Sequence, residues 1–162
     1  MNKQEILNEI EKTKEHLANM EKMLEECSER WKPNNGDAYY YIDAFGNVLS
    51  QIETGHHSDS AFWKSYNFFK TREEAEQEAE NILIRRRLED IARRLNKGQK
   101  IDWYDSKQLK YCIELYCNNI ITNFYLARNK TQGTVYCLDK SFKDVTIREI
   151  GEERLKAYLR GE

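Results

Sequence analysis

Apolar or small residues recur at Ile6, Ile10, Thr13, Leu17, Met20, Leu24, Cys27 and Trp31, with gaps alternating four and three. Charged residues fill the intervals, and neither glycine nor proline interrupts the run before Pro33. This heptad seam predicts one helix over residues 1–31, ended by the extended backbone that proline imposes on the residue before it. Such a seam is too narrow to bury against a full core face. A coiled-coil-like pairing with a second copy or an antiparallel helix explains it, with Ile6, Ile10, Leu17, Met20 and Leu24 as candidate oligomerisation contacts. A helix lying along its own domain is the alternative.

From residue 38 the period changes to two. "AYYYI" and "VLSQI" flank "DAFGN", and aromatic and β-branched enrichment on both arms predicts a β-hairpin turning near Gly46 and Asn47. Alternation puts Tyr39 and Tyr41 on one face and Tyr40 and Ile42 on the other. Packing accounts for these tyrosines more simply than base stacking does. Residues 53–66 read as a polar loop leading to an aromatic cluster around Trp63, Tyr66 and Phe68.

"TREEAEQEAENILIRRRLEDIARRLNKG" is the clearest helix. Thr71 and Glu74 form a capping box, and Gly98 supplies the stop. Ala75, Ala79, Ile82 and Leu83 predict an inward stripe, continued by Leu88, Ile91, Ala92 and Leu95. Further on, "KYCIELYC", "IITNFYLAR" and "TVYCL" alternate, with turns at Asn118-Asn119 and "TQG", and predict a three-stranded meander. A helix from about Ser141 and a short one after Gly151 close the chain. The expected fold is therefore α+β: an N-terminal coiled-coil-like helix (1–31), then a small domain (32–162) with an antiparallel β-hairpin and meander packed on helices.

Composition narrows the function. The 162 residues are 40% hydrophobic and 33% charged with a net charge of −2, so no global field attracts nucleic acid or anionic membrane. No apolar run is long enough to span a bilayer, and the first residues lack a signal-peptide core, which predicts a cytoplasmic protein. Cys27, Cys112, Cys117 and Cys137 form no C-x-x-C pair and read as buried thiols. His56 and His57 have no carboxylate at a motif spacing. Neither a phosphate loop nor a nucleophile motif occurs. The expectation is a non-enzymatic binding protein without cofactor or metal.

Charge is unevenly spread along the long helix. Residues 72–81 hold one arginine and five glutamates, while residues 82–100 hold seven basic and two acidic residues. Dipole complementarity explains part of this polarity, but not "RRR" at Arg85, Arg86 and Arg87 followed by Arg93 and Arg94. These arginines, with Trp63 and Tyr66, are the candidate binding residues, suited to carboxylate or phosphate. A merely solvated helix face is the alternative.

The runs "RWKPNNGDAYYYIDAFGNV", "YNFFKTREEAE", "IDWYDSKQLKY" and "IREIGEERLKAYL" together resemble a family of small phage and prophage accessory proteins from low-GC Gram-positive bacteria. Its pattern is W-K-P-x-x-G-[DE]-x-Y-Y-x-I, then T-x-E-E-A-E, then I-G-E-E-R. Where that pattern has Gly-Asn before a phenylalanine, this chain has Tyr66-Asn67, which leaves a shared role for that loop open. The resemblance offers no catalytic residues to carry over. It implies an anti-defence inhibitor that binds a host defence protein or nucleoprotein, such as a CRISPR effector. An oligomeric sponge for a nucleotide immune signal and a nucleic-acid-binding accessory protein are the alternatives.

Overall fold

The computed structural model describes residues 9, 11–14, 16–17, 20, 31–125 and 130–161. The described residues between 9 and 20 are helical, and Leu17 and Met20 are 56% and 50% exposed. Ile6, Ile10 and Leu24, the other proposed oligomerisation contacts, lie outside the described residues.

The first hairpin forms as its alternation predicts. Strand β1 (Ala38–Ile42) pairs antiparallel with β2 (Val48–Ile52), in a register that sets Tyr40 opposite Ser50. Tyr39 is buried and shares a face with Tyr41, whose ring stacks on Phe62 at 4.3 Å. Tyr39 meets Phe68 edge-on at 6.1 Å, and Phe68 also contacts Trp31 and Trp63. These rings form a small aromatic cluster under the hairpin.

Residues 53–66 are not the expected loop. They contain helix α1 (His57–Lys64), whose N-cap is His56. Asp59 returns a bond to the His56 backbone N–H at 3.0 Å, closing a capping box. The box was present in the sequence as His56-x-x-Asp59, obscured by the surrounding glycine and serines.

Helix α2 (Arg72–Leu95) opens on the predicted box, with Thr71 and Glu74 exchanging bonds of 3.2 Å. It ends through Asn96, Lys97 and Gly98, the last two with positive φ. Its 24 residues span about 36 Å. The buried stripe is Ala75, Ile84, Leu88, Ile91 and Ala92. Ile84 therefore takes the inward place expected of Leu83, because the stripe that continues through Leu88 and Leu95 steps back by four residues to 84.

Strands β3 (Lys110–Tyr116) and β4 (Asn119–Tyr125) pair antiparallel. Their two-residue turn is Cys117-Asn118, one position earlier than expected, and both residues have positive φ. Cys117 is exposed there, whereas Cys112 and Cys137 are buried, so only the latter two fit the buried-thiol expectation among the described cysteines. The third strand of the expected meander shrinks to one antiparallel bridge, Tyr111 to Cys137. Past that bridge the Asp139 N–H, the next one on the edge facing β3, turns back to the Cys137 Sγ at 3.4 Å, while the Asn96 side chain at the end of α2 accepts the Leu138 N–H on the opposite edge at 2.7 Å.

Two short helices follow, α3 (Phe142–Ile150) and α4 (Glu152–Arg160), joined by Gly151 at φ 96° and ψ 140°. That backbone is open only to glycine. The main core gathers Ile84, Leu88, Ile91 and Ala92 of α2 with Ile113, Ile120, Cys137, Phe142, Ile150 and Leu155. Two apolar clusters thus hang on one helix, the aromatic one on its first half and the main one on its second. The architecture is α+β with two small antiparallel sheets. Among the described residues, no helix is long and apolar enough to cross a membrane.

Candidate binding groove

Between the first hairpin and the middle of α2 lies an open groove of about 520 Å³. Its floor is the α2 face carrying Ala79, Ile82 and Leu83. The sequence predicts these residues to point inward. The structure leaves them partly uncovered, with Leu83 41% exposed. This apolar stripe extends beyond what the other described residues cover.

One wall is the loop between β1 and β2. The Asp43 carboxylate accepts the Phe45 and Asn47 backbone N–H groups, each at 2.8 Å, and the Asn47 side-chain amide at 2.9 Å. These bonds, the Asn47 side chain foremost, hold the Asp43 carboxyl below its usual range. The loop is therefore firmly tied, yet it presents Phe45 at 91% exposure. A phenylalanine held outward by an ordered loop suits an anchor for a partner.

The connection between α1 and α2 lines the groove beside that loop. Asn67 pairs with Ile42 as a strand would: its side-chain oxygen accepts the Ile42 N–H at 2.9 Å, and its amide donates to the Ile42 carbonyl at 2.6 Å. Beside it Tyr66 has a φ of 60° and is 75% exposed. A left-handed tyrosine is strained, costing roughly 1–2 kcal/mol relative to the right-handed form. Strain of this kind at a ligand-accessible position points toward use of the side chain.

The arginines separate around α2. Arg85 bonds Glu89 through Nε at 3.2 Å. Arg93 pairs with Asp90, and Arg94 bridges Asp90 at 3.0 Å and Glu149 of α3. Arg93 and Arg94 hold the Asp90 carboxyl below its usual range, Arg93 contributing most. Arg86 and Arg87 have no ion-pair or hydrogen-bond partner among the described residues. Arg86 lines the groove, as Tyr66 does, and with Arg87 and Arg94 it also lines a shallow hollow that holds Glu149; Arg93 lines another with Lys100.

Comparison with family models, with curated proteins and with solved structures finds no match in any of the three. The groove's meaning therefore rests on its own chemistry. It brings Tyr66 and Arg86 together from the predicted set. Trp63 instead packs 4.8 Å from Phe68, with the Lys32 ammonium 5.4 Å from its ring. Phe45 and Leu83 were not among the predicted binding residues. The signal for Phe45 was a lone large apolar residue inside an otherwise polar turn. Among the described residues, no cluster of three or more histidine, cysteine or acidic side chains is arranged to hold a metal.

Proposed function

We propose that this chain is a non-enzymatic binding protein that inhibits a host defence protein by docking it in the groove between the first hairpin and α2. The observation that carries this reading is the partly uncovered Ala79–Ile82–Leu83 stripe, in one groove with exposed Phe45 and Tyr66 and with Arg86, which has no partner among the described residues. Aromatic and arginine side chains around an apolar centre are the usual composition of interface hot spots. The occupant is a protein segment that seats an apolar side chain on the stripe and brings a carboxylate to Arg86. Glu80 does not compete for that position, because Arg154 of α4 bonds it at 2.8 Å.

The phage and prophage resemblance supplies the biological setting: an accessory product acting in the bacterial cytoplasm against a defence component, such as a CRISPR effector. In this reading the N-terminal helix self-associates as a coiled coil, so that each assembly offers more than one groove. The exposure of Leu17 and Met20 on helical backbone supports that step.

The test pairs affinity capture from host cells with a defence assay, using the native chain and the Phe45→Ser and Arg86→Glu variants. Both side chains are exposed, so both variants should melt as the native chain does. The expected result is one defence protein captured by the native chain, bound about tenfold or more weakly by each variant, with inhibition lost in parallel. Unchanged capture and inhibition by both variants would remove the groove from the mechanism.

A further inference from the structure

A second cleft, of about 510 Å³, opens farther along α2, lined by Arg85 together with Trp103, Tyr136 and residues of the 130–134 segment. Its volume lies within the range of small-molecule sites. Two cations reach it. Arg85 is steadied by Glu89 through Nε alone, which leaves its two terminal nitrogens without a partner among the described residues. Lys130 has no partner among the described residues either. A guanidinium fixed on one edge and open on the other is arranged to grip an oxyanion through two parallel bonds.

The aromatic wall is equally well fixed. Trp103 meets the Tyr136 ring edge-on at 5.0 Å. The buried Lys110 ammonium lies 5.8 Å from the indole, and is itself held by the carbonyls of Asp105 at 3.1 Å and Gln108 at 2.8 Å. Trp103 nonetheless keeps part of its surface open to the cleft. The Tyr136 hydroxyl accepts the Thr131 N–H at 3.1 Å, and Thr134 N–H closes the turn onto the Thr131 carbonyl at 3.3 Å. That turn is thereby held against the aromatic wall, with Thr134 among the residues of the lining.

We infer that this cleft binds a nucleoside phosphate, its phosphate held between Arg85 and Lys130 and its base against Trp103. Paired cations beside an ordered indole match a ligand that is anionic at one end and a flat π-system at the other. Neither inorganic phosphate nor an uncharged nucleoside uses both halves. The site is separate from the proposed protein-docking groove, since Arg85 and Arg86 are successive residues pointing into different hollows.

Isothermal titration of the full chain with each of the four ribonucleoside 5′-monophosphates tests the inference, with inorganic phosphate and adenosine as separate arms. At least one nucleotide should bind, and at least tenfold more tightly than either phosphate or adenosine. The Arg85→Glu, Lys130→Glu double variant should lose that binding by tenfold or more while keeping its circular dichroism spectrum. Arg86→Glu should leave it unchanged, which separates this site from the groove. No heat with any nucleotide at millimolar concentration overturns the inference. So does phosphate binding as tightly as nucleotide, or nucleotide binding that survives the double charge reversal.

Discussion

Asp59 shows how one buried carboxylate organises a whole corner of the molecule. It accepts the Tyr39 hydroxyl and the Gln51 amide, each at 2.7 Å, the Thr54 N–H and hydroxyl, each at 3.1 Å, and the His56 N–H at 3.0 Å. These donors, Tyr39 first, pull its pKa down to about 2. A depressed carboxylate stabilises the fold fully above its unfolded value near 4, and that contribution is lost as pH falls toward 2. Melting temperature should therefore decline between about pH 4 and pH 2, and Asp59→Asn should flatten that limb while lowering stability at neutral pH. Tyr39 mirrors it. Burial first, then the bond to Asp59, pushes its hydroxyl well above the usual tyrosine range, so its contribution is present below about pH 10 and lost above. Tyr66 argues the other way, as a residue kept at some expense. Tyr66→Gly should relieve the left-handed strain and leave stability equal or raised by about 0.5 kcal/mol, the gain reduced by the extra entropy of unfolded glycine. Partner binding should weaken all the same. A denaturant melt and a binding titration on one variant check both halves. By contrast, the Cys112 thiol, raised to about 12 mainly by burial, will not serve as a nucleophile at neutral pH.

The elements differ in how openly the sequence declares them, and the reason is local. The α2 boundaries were legible because Thr71, Glu74 and Gly98 act on backbone within a few residues of themselves. The first hairpin was legible from the aromatic and β-branched enrichment of its two arms and the Gly46-Asn47 turn between them. The third strand of the meander was not: alternation in "TVYCL" does not show that the Asp139 N–H turns back to the Cys137 Sγ, or that Asn96, some forty positions away in the chain, ties down the Leu138 N–H. Nor was the groove floor. A helical period marks Ala79, Ile82 and Leu83 as one face, but it cannot say whether the same chain covers that face. The N-terminal helix raises this question in sharper form. If its seam pairs between copies, light scattering at tens of micromolar should report a dimer or larger species, and Leu17→Glu with Met20→Glu should give a monomer. A native chain that is monomeric at that concentration would return the seam to its own domain.

At the scale of the molecule, α2 is the common support of both apolar clusters, and the two are unequal. The aromatic cluster under the first hairpin is small, and β1 and β2 make their main contacts outside the hairpin with α2. The main core has α2, α3, α4 and the second sheet on every side. The hairpin is thus the weaker cooperative unit. Near-ultraviolet circular dichroism should lose the share that Trp31, Tyr39, Tyr41 and Trp63 contribute several degrees before the far-ultraviolet helix signal fades, the share of Trp103 and Tyr136 persisting with the main core. Coincident transitions by the two probes would show that the clusters melt as one. The groove has one wall on the hairpin and its floor on the helix. Heating would therefore take the groove apart while leaving most of the chain folded, and cooling would rebuild it without refolding the core. If the groove is the docking site we propose, a temperature ceiling on binding, set below the melting point of the chain, follows from where it is built.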